Sequence, residues 1–99
     1  MARPFFVYLL ICADGAYYVG HTDDLDRRLF QHGEGQCAFT SPRRPLRLAW
    51  YEEVQTRAEA RALEAQLKRW SRAKKAALIR GDVAAIRRLA KKRFPPQAR

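Results

Sequence analysis

The chain has 99 residues, 47% of them hydrophobic, and a formal net charge of +10; this suits one domain with enough apolar mass for a core without disulfide staples. Its longest apolar run, Phe5 to Cys12, falls well short of the ~18 residues a spanning helix requires, which argues against a membrane protein. The charge is uneven, with six Lys+Arg against seven Asp+Glu in residues 1–55 and fourteen against three in residues 56–99, so a nearly neutral half adjoins one suited to a polyanion, nucleic acid first among them.

Taken in chain order, the run Phe5 to Cys12 reads as a buried strand. Ala13-Asp14-Gly15-Ala16 reads as a turn, and Tyr18-Val19-Gly20 as the second strand of a hairpin. Asp23 or Asp24 can cap a helix from about Leu25 to His32, with Leu25 and Leu29 inward and Gly33 and Gly35 ending it. Gly33 to Pro45, with Ser41-Pro42 and the pair Arg43-Arg44, predicts an exposed loop into a third strand, about Leu46 to Val54. Thr56-Arg57-Ala58-Glu59 matches a capping box and starts a second helix near Arg57. Ser71 caps a further helix that reaches Arg80 before Gly81, and Asp82 a last one that Pro95-Pro96 stops. Strand, strand, helix, strand, helices predicts an α+β domain: a small three-stranded antiparallel sheet flanked by helices. Cys12 and Cys37 have no CxxC spacing, so two reduced thiols are expected. No charged-then-apolar leader precedes the first strand, and a cytoplasmic location is expected.

Five residues stand out chemically. Arg28 and His32 are four apart on the first helix and project from one face. An Arg can clamp a phosphate, and a His can take a proton near neutral pH. Tyr8 and Tyr18 sit in the two hairpin strands, and Glu64 is one of three acidic residues in the basic half. Each has an ordinary explanation when taken singly. Strand tyrosines commonly pack at a core edge, and Glu64 can pair with Lys68 one helical turn on. A lone carboxylate among cations also suits a divalent ion facing phosphate.

Tyr8 in a short strand, Tyr18-Val19-Gly20 ten residues on, Arg28 and His32 ten and fourteen residues beyond Tyr18, and a Glu on the next long helix resemble the GIY-YIG nuclease superfamily. Glu64-Ala65-Gln66-Leu67-Lys68-Arg69-Trp70, then Arg72, Lys74-Lys75 and Leu78-Ile79, resemble its stand-alone small bacterial branch of predicted endonucleases. The resemblance covers residues 5–80 as the nuclease module, with 81–99 a basic helix and tail of the same single domain. The first motif reads Phe6-Val7-Tyr8 rather than Gly-Ile-Tyr, and the chain has no Asn, a residue many members place in the site.

The resemblance implies that Tyr18 and His32 deprotonate or orient the attacking water, that Arg28 steadies the phosphate, and that Tyr8 supports them. It makes Glu64 the ligand of one Mg²⁺ or Mn²⁺ and Gly20 the point of close approach. His21, Arg43, Arg44, Lys68, Arg69, Arg72, Lys74 and Lys75 are expected to meet the nucleic-acid backbone without reading bases. The function expected is a metal-dependent endonuclease on DNA, with RNA second, selective for structure rather than sequence. The alternatives are a catalytically silent nucleic-acid-binding module and a nuclease subunit that needs a partner protein; a homodimer is also open.

Overall fold

The computed structural model describes residues 3–93, with side chains up to Leu89. The expected stop at Pro95-Pro96 lies outside the described residues. Strand β1 (Phe5–Ile11) is followed by β2 (Tyr17–Thr22), α1 (Leu25–Gly33), a 3₁₀ turn (Ser41–Arg43), β3 (Arg47–Val54), α2 (Arg57–Arg69), α3 (Arg72–Arg80) and α4 (Val83–Arg93). The three strands form one antiparallel sheet in the order β2-β1-β3. The α+β architecture expected from the element order is therefore the one observed.

β1 is the central strand, which is why its sequence is apolar without alternation. Val7, Tyr8, Leu9 and Leu10 are all buried because both of its faces are covered. The turn after it is built by Asp14, whose carboxylate accepts the Ala16 backbone N–H at 3.0 Å. β3 forms the other edge and carries the exposed charges Arg47, Glu52 and Glu53, which discourage further strand pairing. A register shift between Leu9 and Leu10 interrupts the β1–β3 ladder.

Strand alternation sorts the side chains of the hairpin onto two faces. Tyr8, Leu10, Tyr18 and Gly20 share one, and α1 meets it through His32, whose ring lies 5.7 Å from that of Tyr8 and 5.1 Å from that of Tyr18. Phe5, Val7, Val19 and His21 share the other. α2 meets that face, with Arg57 stacked 4.7 Å over the Phe5 ring and Glu64 bonded to His21.

The helix starts follow the capping residues. Asp24 accepts the Arg27 N–H at 3.0 Å, Ser71 that of Lys74 at 3.1 Å and Asp82 that of Ala85 at 2.9 Å. The capping box closes as predicted: Glu59 N–H donates to the Thr56 hydroxyl and Thr56 N–H to the Glu59 carboxylate, each at 3.1 Å. Gly81 ends α3 in the left-handed region at φ 72°, a conformation that favours glycine.

The Gly33 to Pro45 segment is largely exposed, as its composition suggests, with a single buried residue. Thr40 within it is 0% exposed, and Arg43 ties the segment to the hairpin turn by an ion pair to Asp14 at 3.2 Å and by its carbonyl, which accepts the Ala13 N–H at 2.8 Å. The reason is polar: Thr40 is drawn inward to a histidine nitrogen, and the 3₁₀ turn behind it carries the chain back to the surface.

By its own contacts the chain divides into two compact units, residues 1–68 and residues 69–99. The first holds the sheet, α1 and nearly all of α2. In the second, α3 and α4 pack together, with Ala77 and Ala85 buried. Because the capping box of α2 is exposed and shares no contact with the site, Thr56→Ala isolates its worth. A loss of about 1 kcal/mol is expected in urea unfolding, with the m-value unchanged.

Candidate active site

The hairpin register sets Tyr8 opposite Gly20 and Leu10 opposite Tyr18, so the two phenols are diagonal neighbours with ring centroids 6.3 Å apart. Gly20 is what lets the Tyr8 ring lie down. A Cβ built there would stand 2.6 Å from the Tyr8 hydroxyl oxygen and 2.8 Å from Cζ, closer than any relaxed contact. The close approach expected at this glycine is thus made by the protein's own phenol.

α1 supplies the partners of that phenol. Arg28 Nε donates to the Tyr8 hydroxyl at 3.3 Å, and His32 Nε2 lies 2.9 Å from the same oxygen. The other ring nitrogen, Nδ1, lies 2.9 Å from Thr40 Oγ1. Arg27, the neighbouring arginine, is exposed, whereas Arg28 also donates to Gln31 at 3.1 Å. Tyr8, Tyr18, Arg28 and His32 are therefore gathered in one cluster.

Burial dominates the electrostatics of this cluster. It pushes the Tyr8 phenol up to about 12, a rise that the Arg28 hydrogen bond only partly offsets. Tyr18 is raised by burial and by a hydrogen bond with Cys37. His32 is pushed down to about 4, first by burial and then by the charge of Arg28. At neutral pH both phenols are protonated and the imidazole is neutral, so a proton can move along the Tyr8–His32 bond without an ion at either end of it at rest.

A second cluster forms around Glu64. One carboxylate oxygen lies 2.5 Å from His21 Nδ1, and the other accepts from Lys68 Nζ at 2.6 Å. Burial raises the Glu64 carboxyl, but hydrogen bonds from His21 and Lys68 outweigh it and hold the group below its ordinary value. Lys68 is raised first by its hydrogen bond to Glu64, and Tyr18 adds to that rise. Gly20 and His21 are consecutive in β2, so they serve opposite faces of the sheet.

Among the described residues no group of three or more His, Cys, Asp or Glu side chains gathers into a metal cage. A single ionised carboxylate nevertheless fits an ion that keeps several waters and takes its other oxygens from phosphate. Glu64 meets that requirement once Lys68 yields its oxygen; the Lys68 side chain is 56% exposed, so water can take its place in the ion pair.

The cations expected on the nucleic-acid backbone divide into two kinds. Arg43 stacks 4.1 Å over Phe39 and donates to its carbonyl at 2.6 Å. Arg44 donates to the Ser41 and Gly33 carbonyls at 2.9 and 3.1 Å. Both arginines brace their own segment. Lys74 is 7% exposed with its ammonium 4.2 Å over the Trp70 ring, so it also serves the interior. Lys68, Arg69 and Arg72 are exposed and Lys75 half-buried. Sequence reasoning missed Thr40 and Cys37. Thr40 sits in a turn-like Thr-Ser-Pro stretch, and only its burial beside His32 marks it.

The His32 shift has a thermodynamic consequence. The ring's ordinary value of 6.5 falls to about 4 on folding, so between these values the unfolded chain binds the extra proton. Stability is complete above pH 6.5 and is lost as pH falls through that window. Urea unfolding is expected to show a loss of roughly 2 kcal/mol from this residue between about pH 7.5 and about pH 5. A stability constant over that range would mean that the ring is open to water.

A family model described as the GIY-YIG catalytic domain matches residues 4–77. A UPF0213 protein of Listeria monocytogenes (serotype 4b, strain F2365) is 40% identical over 79 residues, which is 79% of this chain and 89% of that one. A UPF0213 protein of Bacillus pumilus is 44% identical over 71 residues, 71% of this chain and 72% of its own. The solution structure of a UPF0213 protein from Bacillus halodurans superposes with a TM-score of 0.52 at 38% identity, covering 77% of this chain and 82% of the other. A protein from E. faecalis does so with a TM-score of 0.55 at 28% identity, covering 98% and 94%. The chain belongs to the GIY-YIG catalytic-domain family, a nuclease family, in its small UPF0213 form.

Proposed function

We propose that the protein is a divalent-metal-dependent endonuclease that hydrolyses phosphodiester bonds in nucleic acid, DNA before RNA, selected by structure rather than base sequence. The observation that carries this reading is the Tyr8 hydroxyl held between Arg28 Nε at 3.3 Å and His32 Nε2 at 2.9 Å. A phenol cannot act as a base while it holds its proton. With Tyr8 at about 12 and His32 at about 4, a free phenolate beside an imidazolium would lie roughly 11 kcal/mol uphill. A concerted relay avoids that state. Water gives its proton to the Tyr8 oxygen as the Tyr8 proton passes to His32 Nε2, so His32 is the terminal base and Tyr8 the bridge.

Arg28 couples the relay to the substrate. A phosphate that draws its guanidinium outward uncovers the Tyr8 oxygen and weakens one of the two causes that hold His32 low. Tyr18, less buried than Tyr8, is positioned to orient phosphate or water. Glu64 would hold one Mg²⁺ or Mn²⁺, which when bound stabilises charge developing on the phosphate and the leaving oxygen. Lys68, Arg69, Arg72 and Lys75 would grip the backbone without reading bases.

One observation favours a second reading, a binding module without turnover: both Glu64 oxygens are already held by His21 and Lys68. Cleavage of a panel of single-stranded, duplex and branched DNA and RNA with Mg²⁺, Mn²⁺ or EDTA separates the two. The nuclease reading expects cutting that EDTA stops, and a loss of roughly 10²- to 10³-fold in kcat/KM for Glu64→Gln and for Tyr8→Phe. Affinity for uncut substrate should change little in either variant. Tight binding with no cutting by the wild type would give the function to the second reading.

A further inference from the structure

We propose that Thr40 is a positioning residue, whose hydroxyl sets the His32 tautomer so that Nε2 stays bare toward Tyr8. The inference deepens the nuclease reading and rests on it for its catalytic consequence. It begins from burial: Tyr8 and His32 are 1% exposed and Thr40 is 0% exposed. Every donor and acceptor among them must therefore be satisfied inside the protein.

The protons can then be assigned by counting. Arg28 Nε–H can only donate, so one lone pair of the Tyr8 oxygen is taken. If His32 Nε2 carried the ring proton, it would donate to the same oxygen, and the Tyr8 O–H would need some third acceptor. If Nε2 is bare, the Tyr8 O–H donates to it across 2.9 Å and both groups are satisfied. A neutral imidazole with Nε2 bare carries its proton on Nδ1, which donates to Thr40 Oγ1, also at 2.9 Å.

Thr40 can accept that bond because its own proton has somewhere else to go. Cys37 lies beside it, and burial alone would raise that thiol. The Cys37 thiol instead sits below its ordinary value, with backbone and hydroxyl hydrogen bonds from Thr40 first among the causes that lower it. A donor toward sulfur has that effect, which fits a Thr40 hydroxyl that donates to Cys37 and keeps a lone pair for His32. The Tyr18 hydroxyl also bonds Cys37. A bonded chain therefore runs Tyr8, His32, Thr40. Reversing the Thr40 bond would put the ring proton on Nε2, where it blocks the relay.

The test reads the tautomer directly. The chain has two histidines, His21 and His32, and long-range proton–nitrogen NMR on ¹⁵N-histidine protein reports which ring nitrogen is bare, with His21→Gln used only to assign the signals. The wild type and Thr40→Ser are expected to show His32 with Nδ1 protonated and Nε2 bare. Thr40→Val, or Thr40→Ala if valine does not fold, should move much of the proton to Nε2. In the cleavage assay Thr40→Val should lose roughly ten- to a hundredfold in kcat, as when the partner of a working histidine's second nitrogen is removed, with KM nearly unchanged. Thr40→Ser should stay within a few-fold of wild type. A wild-type His32 protonated on Nε2, or a tautomer unmoved by the loss of the hydroxyl, would overturn the assignment. The tautomer decides this proposal whether or not the chain cuts, whereas cutting by the wild type decides the nuclease reading.

Discussion

A phenol at 1% exposure needs both a donor and an acceptor within the protein, and the site is arranged around that need of Tyr8. Gly20 clears the space in which the ring lies, since a Cβ there would stand 2.6 Å from the hydroxyl oxygen. α1 then supplies a guanidinium that can only donate and an imidazole that can accept. Removing the guanidinium or the imidazole leaves the buried hydroxyl short of a partner, which costs about 1–3 kcal/mol. The same arrangement that satisfies Tyr8 also lines up its proton with a neutral base, so the packing and the proposed chemistry have one physical origin.

The edge position of β2 explains why the site has two parts. Its alternate residues look to opposite faces, so Gly20 serves the Tyr8 cluster while His21 pairs with Glu64 on α2. Charge counting alone overstates the cations available to a polyanion. Arg43, Arg44 and Lys74 hold loop carbonyls or an aromatic ring, so part of the formal positive charge is engaged within the protein.

Much of the fold was legible because its signals are local. Asp24, Ser71, Asp82 and the Thr56–Glu59 pair each bond a backbone N–H within three residues, so the helix starts could be read from short stretches. β1 showed its central place through an unbroken apolar run. The site was legible only through joint spacing. Tyr8, Tyr18, Arg28 and His32 are ordinary residues one at a time, and their ten- and fourteen-residue intervals carry the pattern. Thr40 had no such signal: a Thr before Ser-Pro reads as a solvated turn, and its 0% exposure comes from a contact with a ring eight residues earlier.

The sequence by itself determined the elements, their order, the residue types of the candidate site and the separation of a basic half from a neutral one, since periodicity, caps and charge act over a few residues. Tertiary structure decided which atoms meet. Tyr8 and His32 are separated by 24 residues and His21 and Glu64 by 43, so no local rule pairs them. It also showed what approaches Gly20 closely, the ring of Tyr8, and gave Arg43, Arg44 and Lys74 partners within the protein. The physical reason is the same in each case: hydrogen bonds and van der Waals gaps are set by distances of a few tenths of an ångström, which the packing of α1 and α2 on the hairpin alone supplies.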